Sequence, residues 1–227
     1  MNKLFDLNNP FFSFLSKVAD IIIVSFLWFV CCLPVFTIGP ASSALYYVML
    51  KLARKEDVQI ISCFWKGFKS NFKQGVAYSL IFLVFGAVLV FDYMVAMAMP
   101  GTAGGVCCGI FFALGVWLLC TMFYTFPLQA QFYNTVKQTI VNAMILAVRK
   151  FPMTVAVFLL NMVPVILLLW ATMVFFRTAP VWILVYPGLA ALLCSRMFVK
   201  VFDPLIEAAT GRKPGIETAE VEEEDGE

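Results

Sequence analysis

The chain has 227 residues, of which 62% are hydrophobic and only 13% are charged, with a formal net charge of +2. Soluble domains carry roughly 25% charged residues, so this composition excludes an ordinary soluble domain and a disordered main body. Its length fits one helical bundle and leaves no room for a second sizeable globular domain. The basic residues flank the apolar segments, which is a signal of membrane topology and does not indicate nucleic-acid binding.

Five apolar segments are each about long enough to cross a bilayer, since ~30 Å of hydrocarbon takes ~20 helical residues. We therefore predict an all-α, polytopic transmembrane helical bundle formed by residues 1–205. An acidic, disordered cytoplasmic tail is predicted for residues 206–227, because seven of the 14 acidic residues lie in Glu217–Glu227. The five strong spans are Val18–Ile38, Val76–Met99, Gly105–Phe126, Val155–Phe176 and Val181–Val199, the last helix ending at Asp203-Pro204.

The uncharged stretch from Ile21 to Leu50 is too long for one span. Pro34, Gly39 and Pro40 mark the expected helix break, because proline removes a backbone donor and glycine tolerates unusual dihedrals. Two arrangements fit: Ala41–Ala53 lies along the opposite interface, or it returns into the membrane as a short helix. Broken backbone at membrane depth needs protein or water around it, so we expect Leu33–Pro40 to be buried in the bundle.

The distribution of lysine and arginine favours the return helix. Six of these residues lie in 51–73, three in 137–150 and three in 200–213, whereas 100–104 has none. The positive-inside rule places the first three regions, including the C-terminal tail, in the cytoplasm. Five crossings would leave the N-terminus outside, whereas the return helix gives six crossings and agrees with the rule throughout.

Asp57–Gly75 has the pattern of a cytoplasmic amphipathic helix. Its aromatic stripe consists of Phe64, Trp65, Phe68 and Phe72, together with Ile61, and Lys66, Lys69 and Lys73 flank it. One interpretation is an interfacial helix whose aromatics enter lipid while its lysines meet phosphates. The other is a docking surface for a cytoplasmic partner. A second cytoplasmic element is predicted at Phe132–Arg149.

Few polar residues lie inside the predicted spans. Asp92 is the one acid well inside a span, and Arg177 at the outer end of another is its expected ion-pair partner. Asn161 is expected to hydrogen-bond between helices near a kink at Pro164. A proton- or substrate-binding role for Asp92 is the alternative.

The sequence predicts no enzyme. It has no phosphate-binding loop, no nucleophile elbow, no zinc-protease motif and no histidine to act as a base near pH 7. Its seven cysteines form no CxxC pair. We therefore predict no catalytic residue, no cofactor and no metal.

Several blocks resemble the YesL family, bacterial integral membrane proteins of unknown function. They are Leu33–Val48, which contains Thr-Ile-Gly-Pro-Ala, then Phe64-Trp-x-x-Phe-Lys-x-Asn-Phe-Lys-Gln74, Phe126–Phe132 and the opening Phe5…Asn9-Pro10-Phe11-Phe12. The resemblance covers roughly Phe5 to Pro204 and implies a bacterial cytoplasmic membrane, beside carbohydrate ABC transporters and glycan-degrading enzymes. It implies no activity, cofactor or catalytic residue.

Three functions fit these observations. The first is a non-enzymatic accessory protein associated with carbohydrate ABC-type transport, with membrane lipids and transporter subunits as partners. The second is a small autonomous transporter or channel whose midplane site uses Asp92, Asn161, Pro164 and the broken Leu33–Pro40 segment. The third is a structural or membrane-sensing protein. The sequence leaves the ligand, the partner and the oligomeric state open.

Overall fold

The computed structural model describes residues 10–132 and 134–211, and every regular element in those ranges is helical. The all-α prediction is confirmed for this part of the chain. A 3₁₀ turn at Val35–Thr37 separates the first two α-helices. The α-helices are α1 (Pro10–Cys31), α2 (Ile38–Ala53), α3 (Ile60–Ala98), α4 (Thr102–Gln131), α5 (Val136–Arg149), α6 (Phe151–Trp170), α7 (Thr172–Arg177), α8 (Ala179–Leu184) and α9 (Tyr186–Thr210).

Four stretches of the described chain are long and apolar enough to cross a membrane by length and composition: Val35–Ala53, Ile60–Ala98, Thr102–Gln131 and Phe151–Trp170. They are consistent with a multi-pass membrane protein. The predicted number of five is not confirmed. Two predicted spans are interrupted, because α6 ends at Trp170 before the short α7, and Val185 separates α8 from α9.

The predicted helix break is present between α1 and α2. The Thr37 hydroxyl oxygen lies 2.6 Å from the Cys31 carbonyl oxygen and 2.7 Å from that of Pro34, so it serves backbone acceptors freed by the break. Gly39 and Pro40 are buried, as expected. The expected burial of the whole segment is wrong, because Leu33 is 70% exposed and Val35 and Phe36 are also exposed. Because the Thr37 hydroxyl hydrogen-bonds the carbonyl oxygens at the break, these apolar side chains can face lipid hydrocarbon.

The predicted return helix forms the centre of the bundle. It starts three residues earlier than predicted, as α2, and most of its side chains are buried. Lys17 and Asp20 of α1 line one cavity with Lys55, Glu56 and Asp57 from the α2–α3 loop. The start of α1 therefore lies at the same end of the bundle as the end of α2, which is the antiparallel arrangement of a returning helix.

The amphipathic helix and the second predicted span form one continuous helix, α3, of 39 residues. The predicted boundary between Gly75 and Val76 is therefore wrong. Gly75 does not break the helix; it allows α2 to approach. A Cβ atom at Gly39 would lie 2.1 Å from the Gly75 carbonyl oxygen, and the Gly39 amide donates to the Ser79 hydroxyl at 2.7 Å.

Helix α9 closes the other side of α2. Its Phe198 packs edge-on against Tyr46 of α2 and Tyr124 of α4, with ring centroids 6.2 and 5.1 Å apart. The expected end at Asp203-Pro204 is wrong, since α9 continues through Pro204 to Thr210. Residues 206–210 of the predicted tail are therefore helical. Residues 212–227, and residues 5–9 of the family resemblance, lie outside the described residues.

Candidate functional site

The first half of α3 carries an exposed row of large apolar side chains. Ile61, Trp65 and Phe72 are exposed, Trp65 to 41%, and Phe68 is half-buried between them. The Trp65–Phe68 and Phe68–Phe72 ring centroids lie 5.6 and 5.5 Å apart, so the rings form one continuous surface. Three exposed lysines accompany it. We call this surface the aromatic–lysine face: Ile61, Trp65, Lys66, Phe68, Lys69, Phe72 and Lys73.

Phe64 does not belong to this face, although the sequence pattern placed it there. Its side chain is fully buried and stacks on Phe68 at 6.3 Å. Helix α3 turns its Phe64 and Gly67 side toward the core, and Tyr47 of α2 packs directly on Gly67. A helical wheel could not identify this side, because Gly67 carries no hydrophobic side chain.

A cavity of about 640 Å³ lies among α1, α2, α4, α6, α8 and α9. Its lining is mostly apolar and includes no charged side chain. The side chains with polar groups come from several helices: Trp28 of α1, Ser42 and Tyr46 of α2, Asn161 of α6, Trp182 of α8 and Tyr186 of α9. This lining suits a neutral, largely apolar molecule better than an ion.

The polar groups of the cavity hold helices together. Asn161 Nδ2 donates to the Val157 carbonyl at 2.8 Å and lies 3.8 Å from the Cys194 sulfur on α9. Trp28 Nε1 donates to the Ser42 hydroxyl at 3.3 Å, joining α1 to α2. The Tyr186 hydroxyl donates to the Leu160 carbonyl. The predicted interhelical contact of Asn161 is therefore present in the structure.

Only some of the residues predicted to form a midplane site lie together in the structure. Asn161, Pro164, Leu33 and Ile38 all line the cavity, but Asp92 on α3 does not. The expected Asp92–Arg177 ion pair is also absent: within residues 10–132 and 134–211, the structure pairs Arg54 with Asp203 instead. The predicted pair does not form because α3, which carries Asp92, and α7, which carries Arg177, are not closely packed against each other.

The Arg54–Asp203 pair was not predicted. Arg54 Nε and Nη2 both donate to one carboxylate oxygen of Asp203, at 3.1 and 2.8 Å, joining the end of α2 to α9. Beside them, burial raises the pKa of the Glu56 carboxyl, while Lys51 and Arg54 oppose that shift and Asp203 adds to it. The sequence pattern indicated Asp203 only as the end of a helix, so its ion pair with Arg54 was not predicted.

A buried polar link joins three helices and was also missed. The Ser43 hydroxyl of α2 donates to Gln129 Oε1 of α4 at 2.5 Å, and Gln129 Nε2 donates to the Asn71 carbonyl of α3 at 3.1 Å. Gln129 and Ser43 are both buried. The available signal was a pair of glutamines, Gln129 and Gln131, at the end of an otherwise apolar helix. Buried amides are retained when both of their polar atoms are satisfied.

No group of three or more potential metal-binding His, Cys, Asp or Glu side chains occurs in the described residues. The predictions that the protein has no catalytic residue, no cofactor and no metal stay predictions.

Comparison with known proteins gives one match. Residues 21–93 match the model of a family described as protein of unknown function, DUF624. The match indicates that this segment is similar to an uncharacterised family. The matched segment contains the α1–α2 break, all of α2 and most of α3, so it includes the Gly39–Gly75 crossing and the aromatic–lysine face. No curated protein and no solved structure matches the chain.

Proposed function

We propose that this protein is a non-enzymatic accessory component of a carbohydrate ABC-type transport system, and that it belongs to the YesL family. It would reside in the bacterial cytoplasmic membrane with its C-terminus in the cytoplasm. The sequence blocks that resemble the YesL family support this assignment, and the match to an uncharacterised family over residues 21–93 is compatible with it. The basic residues at the shared end of α2, α3 and α9 support the orientation.

The observation that carries the docking role is the exposure of the aromatic–lysine face. Tryptophan and other large aromatics contribute strongly at protein interfaces, and lysines at the rim steer acidic partners. The face lies on a rigid helix whose other side is fixed by the Gly39–Gly75 crossing. It is therefore held in one orientation, as a docking surface for a transporter subunit requires.

Co-purification tests this role. The double variant Trp65→Glu/Phe72→Glu places acids on exposed positions, so the bundle should fold while a docked permease or ATPase is lost from the purified protein. Ile145→Glu on α5 is the matched control, because it also exchanges an exposed apolar residue for an acid. Affinity purification from native membranes in mild detergent, followed by mass spectrometry, gives the readout.

Unchanged recovery of partners with the double variant would reject docking through this face. Recovery of the wild-type chain alone would reject the accessory role altogether. Loss of partners from both the double variant and the Ile145 control would assign the effect to altered membrane contact.

The cavity supports a second candidate function, that of a small autonomous transporter. Its volume, its neutral lining and the contribution of Asn161 fit a small uncharged substrate. In reconstituted vesicles, Asn161→Leu should abolish flux of a neutral solute, whereas Asp92→Asn should leave it unchanged because Asp92 lies outside the lining. Absence of flux for every neutral solute tested, polar or apolar, would reject this function.

A further inference from the structure

A second, smaller cavity lies where the α5–α6 corner meets α9. It has a volume of about 460 Å³; the α5–α6 corner contributes Leu146, Arg149 and Lys150 to its lining, and α9 contributes Lys200, Val201, Pro204 and Leu205. Lys150 is the single residue between α5 and α6, so the corner holds it beside Arg149. Three cations and an apolar wall thus share one cavity.

Among residues 10–132 and 134–211, no acidic side chain lines this cavity. Asp203, the acid closest to Lys200 along α9, is already bound to Arg54. Glu207 lies on the same helix but outside the lining. Three like charges brought together without a counter-charge repel each other, and a bound anion relieves that repulsion.

The burial pattern of α5 is typical of a helix at the surface of a bilayer. One side of α5 packs into the bundle through Thr139, Ala143 and Ala147. A second apolar row remains exposed, and polar residues adjoin it. A helix with this distribution lies in the interfacial plane, at the depth of lipid headgroups. The exposed apolar row consists of Val141, Met144, Ile145 and Val148.

We propose that this cavity binds one anionic glycerophospholipid, whose phosphate is held by Arg149, Lys150 and Lys200. The first part of an acyl chain lies along Leu146, Val201 and Leu205. Basic pockets between helices on the cytoplasmic side favour anionic headgroups. The apolar wall distinguishes a lipid from free phosphate, because a free anion would gain nothing from it.

Native mass spectrometry of the full chain in detergent tests this site, with phosphatidylglycerol and phosphatidylcholine as probes. The wild-type protein should retain phosphatidylglycerol and not phosphatidylcholine. The triple variant Arg149→Gln/Lys150→Gln/Lys200→Gln should bind phosphatidylglycerol at least about tenfold more weakly, since each cation contributes about fivefold near a lipid surface. Lys17→Gln/Lys137→Gln/Arg177→Gln makes the same change in net charge elsewhere and should retain the lipid.

Three results would overturn the proposal. Equal loss in both triple variants would show general charge attraction, and equal retention of the two lipids would show binding without headgroup selection. Displacement of phosphatidylglycerol by inorganic phosphate at equal concentration would show a simple anion site. Thermal unfolding of each variant, with unchanged midpoints expected, separates lost binding from lost folding.

Discussion

At the scale of single residues, two glycines determine how closely α2 and α3 approach. A Cβ at Gly39 would lie 2.1 Å from the Gly75 carbonyl oxygen, and a Cβ at Gly75 would lie 2.6 Å from the Pro40 nitrogen. Both obstructions are backbone atoms, which have no rotamer with which to move away. The Thr-Ile-Gly-Pro block is thus explained by the crossing of two helices.

Gly39→Ala should destabilise the protein by about 1–3 kcal/mol, the usual cost of overpacking a core. Gly86→Ala is the matched control on α3, because a Cβ there meets nothing within 4 Å. It should be neutral or stabilising by up to about 1 kcal/mol, following helix propensity. Thermal unfolding in detergent measures both, and equal midpoints for the two variants would contradict the packing argument.

Lys55 occupies a position that favours glycine. Its φ is 63°, and the Glu56 amide bonds to the Lys51 carbonyl while the Lys55 amide bonds to that of Leu52. These are the two bonds of a Schellman motif, in which the left-handed residue is usually glycine.

Lys55→Gly should therefore raise stability. Left-handed backbone costs a side-chain-bearing residue about 1–2 kcal/mol, and the greater entropy of glycine in the unfolded chain offsets roughly 0.5–1 of it. A net gain of about 0.5–1 kcal/mol is expected in thermal unfolding. Lys55→Ala removes the same charge but keeps the strain, so a gain as large as that of glycine would show that charge is responsible.

At the scale of elements, the Arg54–Asp203 pair fixes the end of α2 to α9. Breaking a buried pair costs about 3–5 kcal/mol and a surface pair about 0–1. The Arg54 side chain is 9% exposed and that of Asp203 is 30% exposed, so the pair lies between these limits.

Arg54→Gln should accordingly lower the free energy of unfolding by about 1–3 kcal/mol. Arg196→Gln, which removes an exposed arginine of α9, should change it little. A double-mutant cycle with Asp203→Asn isolates the interaction. If the two single substitutions add without coupling, the pair does not stabilise the docking of α2 on α9.

Helices were easier to predict than their ends. Apolar runs predicted the helical class and the Pro34–Pro40 cluster predicted the first break, because hydrophobicity and proline act locally, whereas the five predicted spans are not confirmed. The division of α3 at Gly75 failed because a change from an amphipathic to a uniformly apolar pattern does not require the helix to end there. Asn161 was predicted as an interhelical contact, yet its companions in the cavity come from helices far apart in sequence.

At the scale of the whole molecule, the loops and the start of α1 can be assigned to two opposite ends of the bundle. Lys17 of α1 and the 54–59 loop border one cavity, whereas the α3–α4 turn at residues 99–101 lies at the far end of the long helix α3. The start of α1 and the 54–59 loop should therefore be accessible from the same side of a membrane.

Cysteine labelling with an impermeant maleimide checks this arrangement. In a background lacking the native cysteines, Ser16→Cys and Asp57→Cys should react from one side of sealed vesicles, and Thr102→Cys from the other. Labelling of Ser16→Cys together with Thr102→Cys would contradict the antiparallel packing of α1 and α2 and restore the five-crossing arrangement.

The central helix α2 is short for a membrane-crossing element. Its 16 residues span about 24 Å, less than the ~30 Å of bilayer hydrocarbon. The exposed Leu33, Val35 and Phe36 around the 3₁₀ turn extend its apolar surface. Most of its side chains are covered by neighbouring helices, so the bilayer thickness must match the longer helices around α2 and not α2 itself. The short length of α2 is therefore accommodated inside the bundle, without local thinning of the bilayer.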